Sequence, residues 1–206
     1  MGLFIAFEGG EGCGKTTQAK LLTDKLQQHS IPVVLTHDPG GTALGNEIRR
    51  LLKKEHGCPI SPQAELFLFA ASRVQLVAEL IRPALEEDKV VVCDRFAYST
   101  AVYQGYGRGL DPASVEMINN MATQNLKPDL NILLDISPEQ GLARKQNLTD
   151  RFESENLSFH RRVRDGYVQL AGAQTDRWLT IDGTLPKMQI AEIIWDKVNK
   201  LLLPSS

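Results

Sequence analysis

The amino-acid sequence predicts an α/β fold with a doubly wound parallel sheet. Five short apolar runs typical of buried strands alternate with longer stretches of helical periodicity, at residues 3–7, 32–36, 90–93, 130–134 and 178–181. Strands that alternate with helices form parallel sheets, because each helix returns the chain to the edge where the next strand begins. A glycine-rich turn after the first run and three clear helix starts support the same fold.

The turn after the first run matches the phosphate-binding P-loop pattern. It reads Gly9-Gly10-Glu11-Gly12-Cys13-Gly14-Lys15-Thr16, and Thr17 follows at the start of a helical stretch. Glycines allow backbone N–H groups to surround phosphate oxygens, and the helix that follows presents the positive end of its dipole. We expect Lys15 to reach the outer phosphates and Thr16 to hold Mg²⁺. An ordinary glycine-rich turn is the alternative, but the flanking strand and helix favour a nucleoside triphosphate site.

Three helices are predicted from their first residues. Each start combines a capping side chain with a proline, whose fixed φ suits the first helical position. The pairs are Ser61-Pro62, Asp111-Pro112 and Ser137-Pro138, and Gln140 completes a capping box in the third. No repeat or linker interrupts the pattern, so we expect a single domain over residues 1–206.

Composition limits the partners of the chain. A net charge of −2 over 206 residues gives no broad attraction to nucleic acid, so small anions bound by local Lys and Arg side chains are expected. No apolar stretch has the length of a membrane span, and the first residues lack the order of a secretory signal. Cys13, Cys58 and Cys93 have no metal-ligand spacing and suit a reducing compartment. A cytoplasmic location is therefore predicted.

Two apolar runs end in aspartate, at the edge where parallel sheets bind ligands. These residues are Asp94 and Asp135. We favour Asp94 as a Mg²⁺ ligand because Arg95 follows it, although a local ion pair is an alternative. Asp135 is expected to cap the turn before Ser137. No Asn-Lys-x-Asp sequence follows these strands, which argues against a GTPase switch.

Arginines indicate the second substrate. Six of them fall near predicted element ends or on helix faces directed at the cleft: Arg49, Arg73, Arg95, Arg108, Arg144 and Arg151. An acceptor that already carries phosphate brings close to two negative charges and needs no general base. Guanidinium groups, a lysine and Mg²⁺ neutralise the charge on the transferred group. The histidines show no nucleophile-base pattern and are expected to be structural or exposed, namely His29, His37, His56 and His160.

These residues together resemble those of bacterial thymidylate kinases, which transfer the γ-phosphoryl group of ATP to dTMP. Beyond the P-loop, the resemblance is carried by Asp38-Pro39-Gly40-Gly41-Thr42, Phe69-Ala70-Ala71-Ser72-Arg73, Asp94-Arg95-Phe96, Ser99-Thr100, Tyr103-Gln104-Gly105 and Asp150-Arg151-Phe152-Glu153. It implies a nucleoside monophosphate kinase fold with a five-stranded parallel sheet and a short lid at about residues 143–153. It also implies that the chain uses ATP and Mg²⁺ and forms a homodimer.

The resemblance assigns an acceptor site for dTMP. Phe69 would stack on thymine and Arg73 would contact its exocyclic oxygen, and their i, i+4 spacing places both on one helix face. Thr100 would read the base, and Tyr103 would pack where a ribose 2′-hydroxyl would clash. Arg95 and Arg49 would bind the dTMP phosphate, and Glu11 would lie near the 3′-hydroxyl and the metal. The full substrate-binding set is Glu11, Asp38, Arg49, Phe69, Arg73, Arg95, Thr100, Tyr103 and Gln104.

The P-loop carries Glu11, Gly12 and Cys13 where some members of the family have an arginine, so the chain resembles the group whose lid supplies the cations that meet the γ-phosphate. The candidates are Arg144, Lys145 and Arg151. Asp150 and Glu153 form a possible capping box, which would set Arg151 in the first turn of a helix and direct it to the cleft. The residues at 180–184 resemble the loop on which adenine rests in this family.

The expected catalytic residues are Lys15, Asp94, Arg95, Arg144 and Arg151, and the expected Mg²⁺ ligands are Thr16, Asp94 and Glu11. Two alternatives remain. A kinase of the same fold that acts on a deoxynucleoside or on dUMP would keep the P-loop but need a base pocket different from Phe69, Arg73 and Thr100. A regulatory P-loop protein would hydrolyse its nucleotide slowly without an acceptor.

Overall fold

The computed structural model describes residues 2–53, 59–145 and 151–202. Five strands form one sheet in the order β2-β3-β1-β4-β5. The strands are β1 (Leu3–Glu8), β2 (Val33–His37), β3 (Val90–Asp94), β4 (Leu130–Asp135) and β5 (Trp178–Asp182). All four pairings are parallel, and each predicted apolar run forms one of the strands. The predicted fold class is therefore confirmed.

Helices connect the strands and cover the sheet. They are α1 (Lys15–Gln28), α2 (Ala43–Lys53), α3 (Pro62–Leu76), α4 (Arg82–Glu86), α5 (Ala97–Thr100), α6 (Pro112–Thr123), α7 (Pro138–Ala143), α8 (Leu157–Ala173) and α9 (Lys187–Leu202). Two π-helical segments, Val77–Ile81 and Ala101–Gly107, continue α3 and α5. The three predicted helix starts are confirmed, since the Ser61, Asp111 and Ser137 side chains each accept a hydrogen bond from a backbone N–H three residues later.

The helix start predicted at Asp150 and Glu153 is wrong. Residues 151–154 form turns, and α8 begins only at Leu157. Its cap is Asn156, whose Oδ1 accepts a hydrogen bond from the backbone N–H of Phe159 at 2.9 Å. Asparagine caps a helix as well as aspartate does, so the later residue satisfies the N-terminus equally. Asp150 itself lies outside the described residues.

The core lies on both faces of the central strand β1. Ile5 and Phe7 pack under α1 and α9, whereas Phe4 and Ala6 pack under α3 and its π-helical extension. This alternation follows from the two-residue period of a strand. Because β1 is paired on both edges and covered on both faces, its C-terminal end is held firmly beside the ends of β3 and β4. Within the described residues, no helix combines the length and the apolar character needed to cross a bilayer.

Candidate active site

A cavity of about 380 Å³ opens at the C-terminal edge of the sheet. Its walls come from the P-loop, the ends of β2 and β3, α2, α3, the π-helical segment after α5 and the segments on either side of residues 146–150. Every predicted site residue lines this cavity except Gly10, Cys13 and Arg151. His37, which was expected to be structural or exposed, also contributes to the wall.

The P-loop connects β1 to α1 in a conformation that needs glycine. Gly12 and Gly14 have φ values of 68° and 96°, in the left-handed region. Gly12 also lies against α7, because a Cβ atom there would be 1.9 Å from the carbonyl oxygen of Gly141. Lys15 folds back over the loop and donates a hydrogen bond from Nζ to the carbonyl oxygen of Gly10 at 2.7 Å. Cys13 is buried, with Sγ 3.4 Å from Nζ of Lys15.

The edge between α1 and β3 suits a magnesium ion. Thr16 Oγ1 donates a hydrogen bond to Asp94 Oδ2 at 2.5 Å, so two oxygen ligands lie side by side beneath the P-loop. Mg²⁺ prefers such oxygen ligands and takes the rest from water and phosphate. The described residues contain no group of three His, Cys, Asp or Glu side chains that would hold a metal without phosphate. The neighbouring oxygen atoms of Thr16 and Asp94 fit a Mg²⁺ ion that is also bound by phosphate.

Glu11, the third predicted ligand, is held by cations. Its carboxylate accepts hydrogen bonds from Arg95 Nη2 and Tyr103 Oη, both at 2.7 Å, and from Lys145 Nζ at 3.4 Å. Burial alone would raise the pKa of Glu11, but Arg95, Lys15 and Lys145 hold this pKa well below its usual range. The carboxylate is thus ionised at neutral pH, and the surrounding cations offset its repulsion of phosphate.

Arg95 occupies the turn after β3. Its φ of 70° places a non-glycine residue in the left-handed region, which costs of order 1–3 kcal/mol. Nη1 donates a hydrogen bond to the carbonyl oxygen of Gly9 at 2.9 Å, so the guanidinium group lies against the P-loop. The guanidinium group also stacks on the Tyr103 ring, with Cζ 5.0 Å from the ring centroid. These contacts direct Arg95 into the cavity beside Glu11.

The Glu8 side chain accepts hydrogen bonds that hold this turn in place. It was not among the site residues predicted from the sequence. It ends β1, is fully buried, and accepts hydrogen bonds from the Phe96 backbone N–H at 3.0 Å, Ser99 Oγ at 2.6 Å and Tyr167 Oη at 2.9 Å. Burial raises the pKa of Glu8, while these donors and Arg95 lower it. An acidic residue at the end of a buried apolar run was the signal available in the sequence.

Three contacts fix Arg73 in the part of the cavity lined by Phe69, Arg73, Thr100 and Gln104, named the acceptor wall. It is buried, with Nε 2.5 Å from Asp38 Oδ2, Nη1 2.6 Å from Asn119 Oδ1 and Nη2 2.7 Å from Thr100 Oγ1. Burial raises the pKa of Asp38, and Arg73 partly offsets this effect. The three contacts fix the plane of the guanidinium group. Asn119 was not among the predicted site residues.

An aromatic wall lies one helical turn before Arg73. Phe69 lines the cavity, and its ring centroid is 5.7 Å from that of Phe152 in the segment after residue 150. Tyr103 contacts the same Phe152 ring edge-on, at a centroid distance of 6.1 Å. A flat ring bound here would therefore meet aromatic surface on α3, with Arg73 at its edge.

The remaining predicted cations are divided between two positions. Arg49 and Arg144 line the cavity, where they donate hydrogen bonds to the carbonyl oxygens of Pro39 at 2.8 Å and Gly183 at 3.0 Å. Arg151 lies behind the acceptor wall. Its Nη2 is 2.6 Å from Glu65 Oε2, in an ion pair whose angles fall outside hydrogen-bond geometry. The expected direction of Arg151 towards the cleft is thus not what this structure has.

Lys145 and Asp135 also have clear partners. Lys145 lines the cavity and forms ion pairs with both Glu11 and Glu153. Asp135 does not cap the turn before Ser137, because both of its carboxylate oxygens accept hydrogen bonds from Arg164, at 2.7 and 2.9 Å. This ion pair removes Asp135 from the metal edge and leaves Asp94 as the strand-end carboxylate of the cavity.

Comparison with known proteins identifies relatives over nearly the whole chain. The family model for thymidylate kinase matches residues 7–194. A thymidylate kinase from Dehalococcoides mccartyi is 51% identical over 203 residues, 98% of either chain. One from a Synechococcus species is 48% identical, covering 98% of this chain and 97% of the relative. The crystal structure of thymidylate kinase from Ehrlichia chaffeensis is 33% identical, with a TM-score of 0.77, over 96% of this chain and 98% of that one.

The contacts of Glu11 predict a pH-dependent contribution to stability. We expect Glu11→Gln to lower the free energy of unfolding by about 3 kcal/mol at pH 7, because Arg95 loses a partly buried partner. The pKa of Glu11 is lower in the folded than in the unfolded protein. The difference in the free energy of unfolding between wild type and variant should therefore have its full value at neutral pH. Below the ordinary glutamate pKa of about 4.3 it should shrink by about 1.4 kcal/mol per pH unit.

Urea unfolding at pH 7 and pH 3.5 measures this difference. Glu47→Gln is the control, since Glu47 pairs with Arg50 at 2.5 Å on the exposed surface and should contribute little at either pH. An equal difference for Glu11→Gln at both pH values would show that the ion pairs do not stabilise the folded state.

Proposed function

Because the chain belongs to the thymidylate kinase family, we propose that the cavity at the C-terminal edge of the sheet is where dTMP meets ATP. The chain is an ATP-dependent nucleoside monophosphate kinase that phosphorylates dTMP to dTDP with Mg²⁺, a step of dTTP synthesis. One observation carries the placement of both substrates: the P-loop lysine and the Phe69–Arg73 face of α3 line the same cavity.

The acceptor side fits a thymine nucleotide. Phe69 supplies a stacking surface, and Arg73 offers donors to an exocyclic carbonyl oxygen of the base. Thr100 contacts Arg73, and Gln104 lines the same cavity; both would complete the polar edge, while Asp38 fixes the guanidinium group. Tyr103 is held by Glu11 and Arg95, so its ring is a fixed wall where a ribose would carry its 2′-hydroxyl.

The charged centre of the cavity fits the phosphates of both nucleotides. Arg95 and Arg49, which both line the cavity, neutralise the dTMP phosphate, and the P-loop backbone from Gly10 to Thr17 surrounds the phosphates of ATP. Thr16 and Asp94 would hold Mg²⁺, with Glu11 near it; the ion neutralises charge on the transferred group. Lys15 exchanges its contact with the Gly10 carbonyl oxygen for the outer phosphates.

The cations after α7 act on the donor side. Arg144 already lies between the cavity and the loop at Gly183, which we assign to adenine. Lys145 lines the cavity and contacts Glu11. Arg151 is assigned to the γ-phosphate, for which it would exchange its ion pair with Glu65. The reaction then needs no general base, because the attacking phosphate oxygen is already ionised.

A homodimer that works in the cytoplasm is the expected form of the enzyme. Its support is an apolar surface on α3 and α6, which pack side by side. Phe67 and Val74 lie on one face of α3, and Met117 and Met121 lie on one face of α6; all four are exposed. A second copy of the chain would cover this surface, because a contiguous exposed apolar surface is typical of protein interfaces.

Turnover with different acceptors tests the proposed substrate. We expect kcat/KM for dTMP to exceed that for dCMP and for the ribose form of TMP by roughly a hundredfold or more, since the site offers matched donors to thymine and a wall to the 2′-position. ADP and nucleoside diphosphate formation with ATP and Mg²⁺ measures this. Preference for another monophosphate would keep the phosphate chemistry but reject Phe69, Arg73 and Thr100 as a thymine pocket. Nucleotide hydrolysis without any acceptor dependence would indicate a regulatory protein.

The proposed role of Arg151 predicts that its removal lowers turnover but not the affinity for dTMP. Arg151→Ala should lower kcat at least tenfold, about 1.4 kcal/mol of barrier, with little change in the KM for dTMP, because the side chain meets charge formed during transfer. Arg161→Ala is the control, since Arg161 pairs with Glu139 on the exposed surface. Wild-type kcat with a raised KM for dTMP would instead make Arg151 a structural partner of Glu65.

The dimer surface is tested by changing its charge. Met121→Glu should give a monomer, because a carboxylate would be desolvated in the interface. Met188→Glu, at an exposed methionine on α9, should leave the mass unchanged. Sedimentation equilibrium measures both variants beside wild type. Equal masses for all three proteins would remove α6 from the interface.

A further inference from the structure

Glu65 lies behind the acceptor wall. It is fully buried on α3, one turn before Phe69 and two turns before Arg73, and it does not line the cavity. Neither the sequence motifs nor the predicted site includes it. A buried carboxylate is costly unless it is fully paired, so its partners indicate what it does.

Three side chains converge on this carboxylate. Arg108 donates to it from Nε and Nη2 at 3.1 and 3.2 Å, and Arg151 lies 2.6 Å away. The third is Gln104, whose Nε2 donates to Glu65 Oε1 at 2.7 Å. Arg108 is itself held by Glu155 at 2.5 Å, so the carboxylate keeps a fixed cationic partner. Gln104 is the only one of the three partners that lines the cavity.

The hydrogen bond to Glu65 decides which end of the Gln104 amide is available. An ionised carboxylate only accepts hydrogen bonds, so it takes the NH₂ group and turns the carbonyl oxygen away. That oxygen, Oε1, is buried and has no partner among the described residues. A buried acceptor without a donor is uncommon in proteins, and this one belongs to a residue of the cavity wall.

The orientation of the Gln104 amide would distinguish thymine from cytosine. Thymine carries an N3–H donor between two carbonyl oxygens, whereas cytosine has an acceptor at N3 and an amino group at position 4. An amide oxygen pairs with N3–H and repels the cytosine ring nitrogen; an amide NH₂ group would do the reverse. The unpaired oxygen of Gln104 therefore matches the N3–H group of thymine.

We propose that Glu65 is a positioning residue that selects thymine, because it fixes the Gln104 amide with its oxygen towards the base. The inference depends on the proposed placement of Gln104 in the dTMP site. Glu65 does not touch the substrate in this role. It acts through one hydrogen bond, and Arg108 keeps its carboxylate in place.

Base discrimination tests this role. In Glu65→Gln, residue 65 offers either an oxygen or an NH₂ group, so the Gln104 amide is free to turn over. The ratio of kcat/KM for dTMP to that for dCMP should fall at least tenfold. Lost folding would lower both rates equally and leave this ratio unchanged. Glu79→Gln is the matched control, because Glu79 accepts a hydrogen bond from Gln75 Nε2 at 2.7 Å on an exposed surface; its ratio should equal that of wild type.

A double-mutant cycle separates the inference from the site assignment. Gln104→Ala should lower the same ratio, and adding Glu65→Gln should lower it no further, because the amide through which Glu65 acts is gone. If Gln104→Ala lowers the ratio and Glu65→Gln does not, the role of Glu65 is wrong. If Gln104→Ala leaves the ratio unchanged, the placement of Gln104 is wrong as well. Should Glu65→Gln not fold, Glu65→Asp keeps the charge but withdraws it from Gln104, and a wild-type ratio there would equally reject the proposal.

Discussion

The parallel register of β1 and β3 is the constraint on which the site depends. Phe7 is paired with Asp94, so the strand that enters the P-loop ends beside the strand that supplies the metal-edge carboxylate. The Arg95 backbone N–H continues this pairing to the carbonyl oxygen of Phe7 at 2.9 Å. A shift of one residue would turn Asp94 to the opposite face of the sheet. Thr16 would then lack its partner, and Arg95 would leave the P-loop.

Buried carboxylates keep the cations of the site in place. Glu8 and Glu65 are both fully buried, and each is surrounded by donors from other elements. Such networks are expensive to assemble, but once complete they hold their partners rigidly. Arg95 is positioned by Glu11 and the Glu8 network before any phosphate arrives. A transition state with spread charge is stabilised best by groups that need not reorganise, so this fixed arrangement suits the role proposed for Arg95.

Site residues whose positions depend on short segments of the chain could be predicted from the sequence. Lys15, Thr16 and Asp94 follow directly from a strand, a glycine-rich turn and the edge of a parallel sheet. Asn119 could not be predicted in this way, because it meets Arg73 across 46 residues of chain through a contact that no local pattern encodes. The direction of Arg151 failed for a similar reason. A capping pattern placed it on a helix, whereas its pairing with Glu65 depends on tertiary packing.

One face of α3 carries the residues proposed to select the base, and Glu65 connects this face to Arg151. Glu65, Phe69 and Arg73 occupy positions i, i+4 and i+8. In the proposed site they would orient Gln104, stack on the base and contact its edge, respectively. Glu65 is shared between Gln104 and Arg151. If Arg151 leaves Glu65 for phosphate as proposed, Glu65 keeps two contacts from Arg108. Its charge would then still orient Gln104, so the loss of the Arg151 ion pair would not disturb the proposed selection of thymine.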